Sequence, residues 1–121
     1  MITLPTNTKM VGRLNDAFRS NLGPCKVDGL AIAGEVELSD GIMLLPRRKR
    51  EQLILAVRDY SDFPETIDPC EEHCFGKFTH PPLGTIYWAI RYYEDEITSL
   101  ECEHADDDPE NCYRKLHIML E

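Results

Sequence analysis

The sequence predicts an α+β domain, two helices packed on a small, mostly antiparallel sheet of three to five strands. Three patterns carry this expectation. Apolar residues recur at intervals of three and four in Met10–Leu22 and again in Gln52–Tyr60, as half-buried helices require. Thr85–Tyr93 alternates strictly and is dominated by β-branched and aromatic side chains. The chain closes on a second alternation, Leu116, Ile118 and Leu120 against Lys115, His117 and Met119.

Each element follows from its local chemistry. Residues 1–9 are polar and contain Pro5, which reads as a loose end. In the first helix, Met10, Val11, Leu14, Ala17, Phe18 and Leu22 share a face, and Gly23-Pro24 stops it. Cys25–Gly34 reads as loop, with Leu30-Ala31-Ile32 as a short strand. Glu35–Leu38 alternates, Ser39-Asp40-Gly41 turns and Ile42–Leu45 is apolar, so a hairpin is expected there. Pro46 suits the first turn of the second helix, which carries Leu53, Ile54, Ala56, Val57 and Tyr60 on one side. Ser61-Asp62-Phe63-Pro64 ends it and Glu65–Glu72 forms an acidic loop. Phe75–Thr79 reads as a strand and His80–Gly84 as a turn. On Thr85–Tyr93 the alternation puts Ile86, Trp88, Ile90 and Tyr92 on one face. The last stretch is read as a strand, with a helix from Asp108 as the alternative.

The 121 residues suit a single domain spanning 1–121, large enough for one core without metal or disulfide support. No apolar run approaches ~18 residues and Met1–Met10 lacks a signal pattern. Five cysteines, an odd number at uneven spacing, argue against a disulfide framework. A cytoplasmic protein with reduced thiols is expected.

Charge is the strongest functional signal. The net charge is −9. Residues 1–60 contribute nine Lys/Arg and seven Asp/Glu, whereas residues 61–121 contribute four and fifteen. Glu94–Glu110 alone holds nine carboxylates in seventeen residues without a Lys or Arg. Such a run repels nucleic-acid phosphates and attracts cationic surfaces. It serves either as a solvated loop or as a face for a basic partner, where carboxylates occupy the cationic channel that DNA would fill. Calcium is a poorer reading, because Asp106-Asp107-Asp108 lacks the spaced ligands, central Gly and closing Glu of an EF-hand loop. Arg47-Arg48-Lys49-Arg50 opens the second helix against its dipole, which calls for an acidic partner inside the fold or outside it.

The Cys/His groups are weaker signals. Cys70-Glu71-Glu72-His73-Cys74 and Cys102-Glu103-His104 place thiols and imidazoles close together, but neither has the paired spacing of a structural zinc site. Glu72 and His73 form an acid–base pair without an evident nucleophile. Tyr87-Trp88 and Tyr92-Tyr93 read as packing residues.

Several blocks resemble a family of small bacterial proteins of unknown function. These are Asp68-Pro69, Glu72-His73-Cys74-Phe75-Gly76, Tyr87–Tyr93 and the closing Arg114–Leu120. They are similar to that family's E-H-D-F-G, W-K-I-D-Y-Y-D and R-V-L-T-I-M-L. Arg13–Arg19 and Leu55–Arg58 with Asp62-Phe63 look like its two helices. Cys74 stands where the family has Asp, Ala89 where it has Lys and Arg91 where it has Asp. The resemblance implies a small α+β domain often carried on plasmids and other mobile elements, and no known reaction.

Together these point to an acidic, non-enzymatic protein that binds a basic protein surface. Its working residues would be Glu94, Asp95, Glu96, Glu101, Glu103, Asp106, Asp107 and Asp108. The expected partner is a nucleic-acid-binding host protein or complex, and the expected role a nucleic-acid mimic of the anti-CRISPR or anti-restriction type. No cofactor, metal, membrane or direct nucleic-acid contact is expected, and pairing of the chain with itself is left open. The alternative is a small enzyme or zinc-binding protein centred on Glu72, His73 and Cys74.

Overall fold

A computed structural model describes residues 8–69, 71–81, 83–95, 108–109 and 112–121. Helix α1 (Thr8–Ser20) leads into a two-stranded antiparallel hairpin, β1 (Cys25–Val27) and β2 (Leu30–Ile32). Strand β3 (Gly34–Leu38), the single-turn helix α2 (Asp40–Met43) and helix α3 (Arg47–Arg58) follow, then strands β4 (Phe75–His80), β5 (Gly84–Tyr93) and β6 (Tyr113–Leu120). The main sheet runs β3-β6-β5-β4, with β3 parallel to β6 and the other pairs antiparallel. The architecture is thus a small, mostly antiparallel α+β fold.

The alternation read in β5 and β6 sets the two faces of this sheet. Ile86, Trp88 and Ile90 of β5 and Leu116 and Ile118 of β6 point into the core, where they meet Leu14 and Phe18 of α1, Ile42 of α2 and Leu53 and Val57 of α3. Each such side chain contributes roughly 1.5–3 kcal/mol by leaving water. The opposite face carries Glu35 and Glu37 beside Lys115 and His117, with Tyr87 and Arg91 further along the sheet.

Two expectations are corrected. The hairpin over 35–45 does not form, because Ile42 and Met43 lie in α2 rather than in a strand. Ser39 and Asp40 begin a helical turn, and β3 finds its hydrogen bonds across the sheet on β6. Cys25–Gly34 is more ordered than a loop with one strand. Asp28 and Gly29 both take positive φ (52° and 83°), the tight turn that suits a two-residue hairpin. For the closing stretch the strand reading is the observed one, and the helix alternative is not.

Gly34 fixes how closely α1 approaches the sheet. A Cβ there would overlap the Arg114 carbonyl and come within 2.5–2.6 Å of the Phe18 ring. Only a residue without a side chain lets β3 lie this close to both.

Candidate functional sites

Polar residues on the buried faces of α1 and β6 meet at one place. Asn15, Arg19 and Arg114 are the buried polar side chains among the described residues. Asn15 lies on the apolar face of α1, four residues after Val11 and three before Phe18. Its Nδ2 donates to the Glu72 carbonyl and to the Tyr92 hydroxyl, both at 2.8 Å, and its Oδ1 accepts from Arg114 Nε at 2.8 Å. The Arg114 guanidinium also lies 5.2 Å from the centre of the Tyr92 ring. Burial pushes the Tyr92 hydroxyl well above its ordinary pKa, with the Asn15 hydrogen bond opposing, so it stays a neutral phenol.

One turn along α1, Asp16 and Arg19 extend this network towards the surface. Arg19 pairs with Asp16 at 3.2 Å and donates to the Tyr60 carbonyl at 2.9 Å, and its guanidinium lies over the Phe63 and Trp88 rings. Asp16 faces His73, whose Nδ1 is 2.9 and 3.0 Å from its two carboxylate oxygens. A carboxylate accepts only, so this contact places the ring proton on Nδ1. The other ring nitrogen, Nε2, is 3.5 Å from Asp68 Oδ2, too long for a strong hydrogen bond. The imidazole stacks flat on Phe63, centroids 3.9 Å apart and planes within 4°.

The segment carrying His73 is bent to fit. Glu71 and His73 both take positive φ (57° and 51°), which costs of order 1 kcal/mol or more for a non-glycine residue. The Asp68 carboxylate holds the bend by accepting the Glu72 and His73 backbone N–H groups at 3.1 and 3.2 Å. Above lies an open groove of about 600 Å³, lined by Lys9, Gly12, Arg13, Asp16, Phe63, Glu71 and His73. The result is an imidazole with fixed orientation at the floor of a groove with charges of both signs. It can hold or transfer a proton. Cys74 Sγ is 4.0 Å from Glu72 Oε2.

Of the acidic run, the described residues are Glu94, Asp95 and Asp108. Glu96, Glu101, Glu103, Asp106 and Asp107 lie outside them, as do Cys70, Cys102 and His104. Glu94 and Asp95 are exposed and follow β5 directly. The chain leaves the sheet at Tyr93 and re-enters it at Tyr113, and these two residues are register partners. The acidic segment therefore starts and ends at one end of the β5–β6 pair. The basic tetrad belongs to the other end. α2 packs beside Leu120, since a Cβ added at Gly41 would lie 3.5 Å from the Leu120 side chain, and three residues separate α2 from α3. β6 spans roughly 24 Å between those ends at ~3.4 Å per residue. Within the tetrad, Arg47 pairs with Glu51 of its own helix at 2.9 Å and Arg50 donates to the Met43 carbonyl at 3.1 Å. Among the described residues no three His, Cys, Asp or Glu side chains group as a metal site, and no helix is long and apolar enough to cross a membrane.

Fold and polar centre together define a small α+β domain with a histidine groove between its first helix and its β4-side loop. Residues 38–121 match the family model described as a protein of unknown function, DUF3768, and the chain belongs to that family. The match takes in His73, Tyr92 and Arg114 but begins after α1, which supplies Asn15, Asp16 and Arg19. No curated protein and no solved structure matches the chain.

The sequence reading named Glu72 and His73 but missed Asn15, Asp16, Arg19 and Arg114. Two signals were available. Asn15 interrupts the apolar face of the first helix, and Arg114 shares the inward face of its strand with Leu116 and Ile118.

Proposed function

We propose that this chain is an acidic, non-enzymatic interaction protein that binds a basic protein surface through Glu94–Glu110. The observation that carries the reading is the separation of charge. Glu94 and Asp95, which open the acidic segment, follow β5 at its Tyr93 end, about three Debye lengths at physiological salt by strand length from the Leu120 end, beside which α2 leads into the basic tetrad. The resemblance to plasmid-borne proteins favours a partner in host defence, so the proposed role is a nucleic-acid mimic that occupies the cationic channel of a host nuclease complex. Its contacts are Glu94, Asp95, Glu96, Glu101, Glu103, Asp106, Asp107 and Asp108.

The test is capture of proteins from a bacterial lysate on the immobilised chain, beside a variant with Asp106→Lys, Asp107→Lys and Asp108→Lys. Nucleic-acid-binding proteins should be retained at low salt, released as salt rises and lost by the variant. Capture indifferent to both salt and charge reversal refutes the reading.

A second reading rests on the orientation of His73. Asp16 fixes the ring proton on Nδ1, which leaves Nε2 as the acid–base atom of a small enzyme centred on Glu72, His73 and Cys74. In that case His73→Gln abolishes turnover of a hydrolysable substrate while capture through the acidic segment is unchanged. Full activity in His73→Gln removes this reading.

A further inference from the structure

The corner between α2 and α3 brings together two features that are each unfavourable in water. Met43 and Leu44 are adjacent and 53% and 85% exposed, and Leu44 is the most exposed of the large apolar side chains among the described residues. Directly after Pro46, α3 opens with Arg47, Arg48 and Lys49, all exposed, at the positive end of the helix dipole. Arg50 joins the two features, because its guanidinium donates to the Met43 carbonyl. The corner thus sets an exposed apolar pair beside the exposed Arg48 and Lys49, with Arg47 paired to Glu51 of its own helix.

We propose that this corner docks on an anionic lipid bilayer surface. Leu44 and Met43 enter the boundary between headgroups and acyl chains, while Arg47, Arg48 and Lys49 engage lipid phosphates and carboxylates. One surface relieves both costs: it offers negative charge to the cations and an apolar layer to the leucine. Nucleic acid would offer phosphate but nothing for Leu44. A side chain that projects from a turn also enters a deformable surface without needing a preformed pocket. Glu94 and Asp95 follow β5 at the far end of the sheet, roughly 24 Å away by strand length, and the Debye length at physiological salt is about 8 Å.

The experiment is flotation of the full chain with vesicles of phosphatidylcholine alone and with phosphatidylserine added, at near-physiological salt. The wild type should float only with the anionic vesicles. Arg48→Glu with Lys49→Glu should lower partition by about 30-fold or more, at about fivefold per cation removed. Leu44→Asp should lower it by at least about fivefold, since it removes the inserted group. These positions are exposed, and unchanged melting curves confirm that the variants fold. Wild type that stays off anionic vesicles, floats equally with both kinds or ignores these substitutions overturns the proposal. So does tighter binding to a short DNA duplex that Leu44→Asp leaves intact.

Discussion

Replacing Asn15 with leucine tests whether the buried polar network holds the fold around the groove. Leucine keeps the same branched arrangement of heavy atoms and favours a helix, but its methyl groups are bulkier, so any strain adds to the lost hydrogen bonds. Three are lost: two neutral donors to the Glu72 carbonyl and the Tyr92 hydroxyl, and the charge-assisted acceptor for Arg114. At about 1 kcal/mol for each neutral bond and 1.5–3 for the charged one, the loss is about 3–5 kcal/mol. Against a total stability of about 5–15 kcal/mol this is large. The midpoint of thermal unfolding should fall by roughly 12–20 °C. Urea titration followed by circular dichroism gives the free energy, and Trp88 fluorescence gives an independent curve from the core. A loss under about 1 kcal/mol would show that these groups find equivalent partners without Asn15, and the network would not be what fixes the bend at Glu71–His73.

Three further outcomes follow from the same contacts. Gly34→Ala should destabilise by about 1–3 kcal/mol, because the new methyl group meets the Arg114 carbonyl and the Phe18 ring; a neutral effect in urea titration would contradict that close approach. Asp16→Ala removes the acceptor of His73 Nδ1, so a protected imidazole N–H resonance visible by NMR in the wild type should vanish, and its persistence would place the proton elsewhere. On the outer face of the sheet, burial lowers the pKa of His117 below its ordinary 6.5, and the nearby Glu37 carboxylate only partly offsets this. The unfolded chain therefore binds the proton more readily. This residue's contribution to stability is complete above pH 6.5 and falls as pH drops through the window down to the folded pKa. His117→Gln should flatten that part of the stability–pH curve; an unchanged slope would mean that His117 does not set it.

Local order was legible in the residues and long-range pairing was not. The strand at Thr85–Tyr93 and its inward set Ile86, Trp88 and Ile90 follow from period-two burial, which acts within a few residues. Glu35–Leu38 was legible as a strand but was paired with Ile42–Leu45, because its true partner, β6, lies about eighty residues away and nothing in Glu35–Leu38 names it. The same limit hid the site. Asp16 looks like an ordinary exposed helix residue until the fold brings His73 to it across 57 positions. Asn15 and Arg114 were visible as polar breaks in apolar patterns, but which group each would satisfy depends on packing alone.

The place of β6 in the sheet bears on how the chain is made. It follows β3 by about eighty residues, yet it lies between β3 and β5 and supplies Leu116 and Ile118 to the core. Until β6 emerges from the ribosome, β3 has no neighbour and β5 has an open flank. Such a nascent chain must wait for β6 to complete its sheet, with unpaired edges exposed to aggregation and to chaperones. Deletion of Tyr113–Leu120 should therefore yield an insoluble product rather than a trimmed domain.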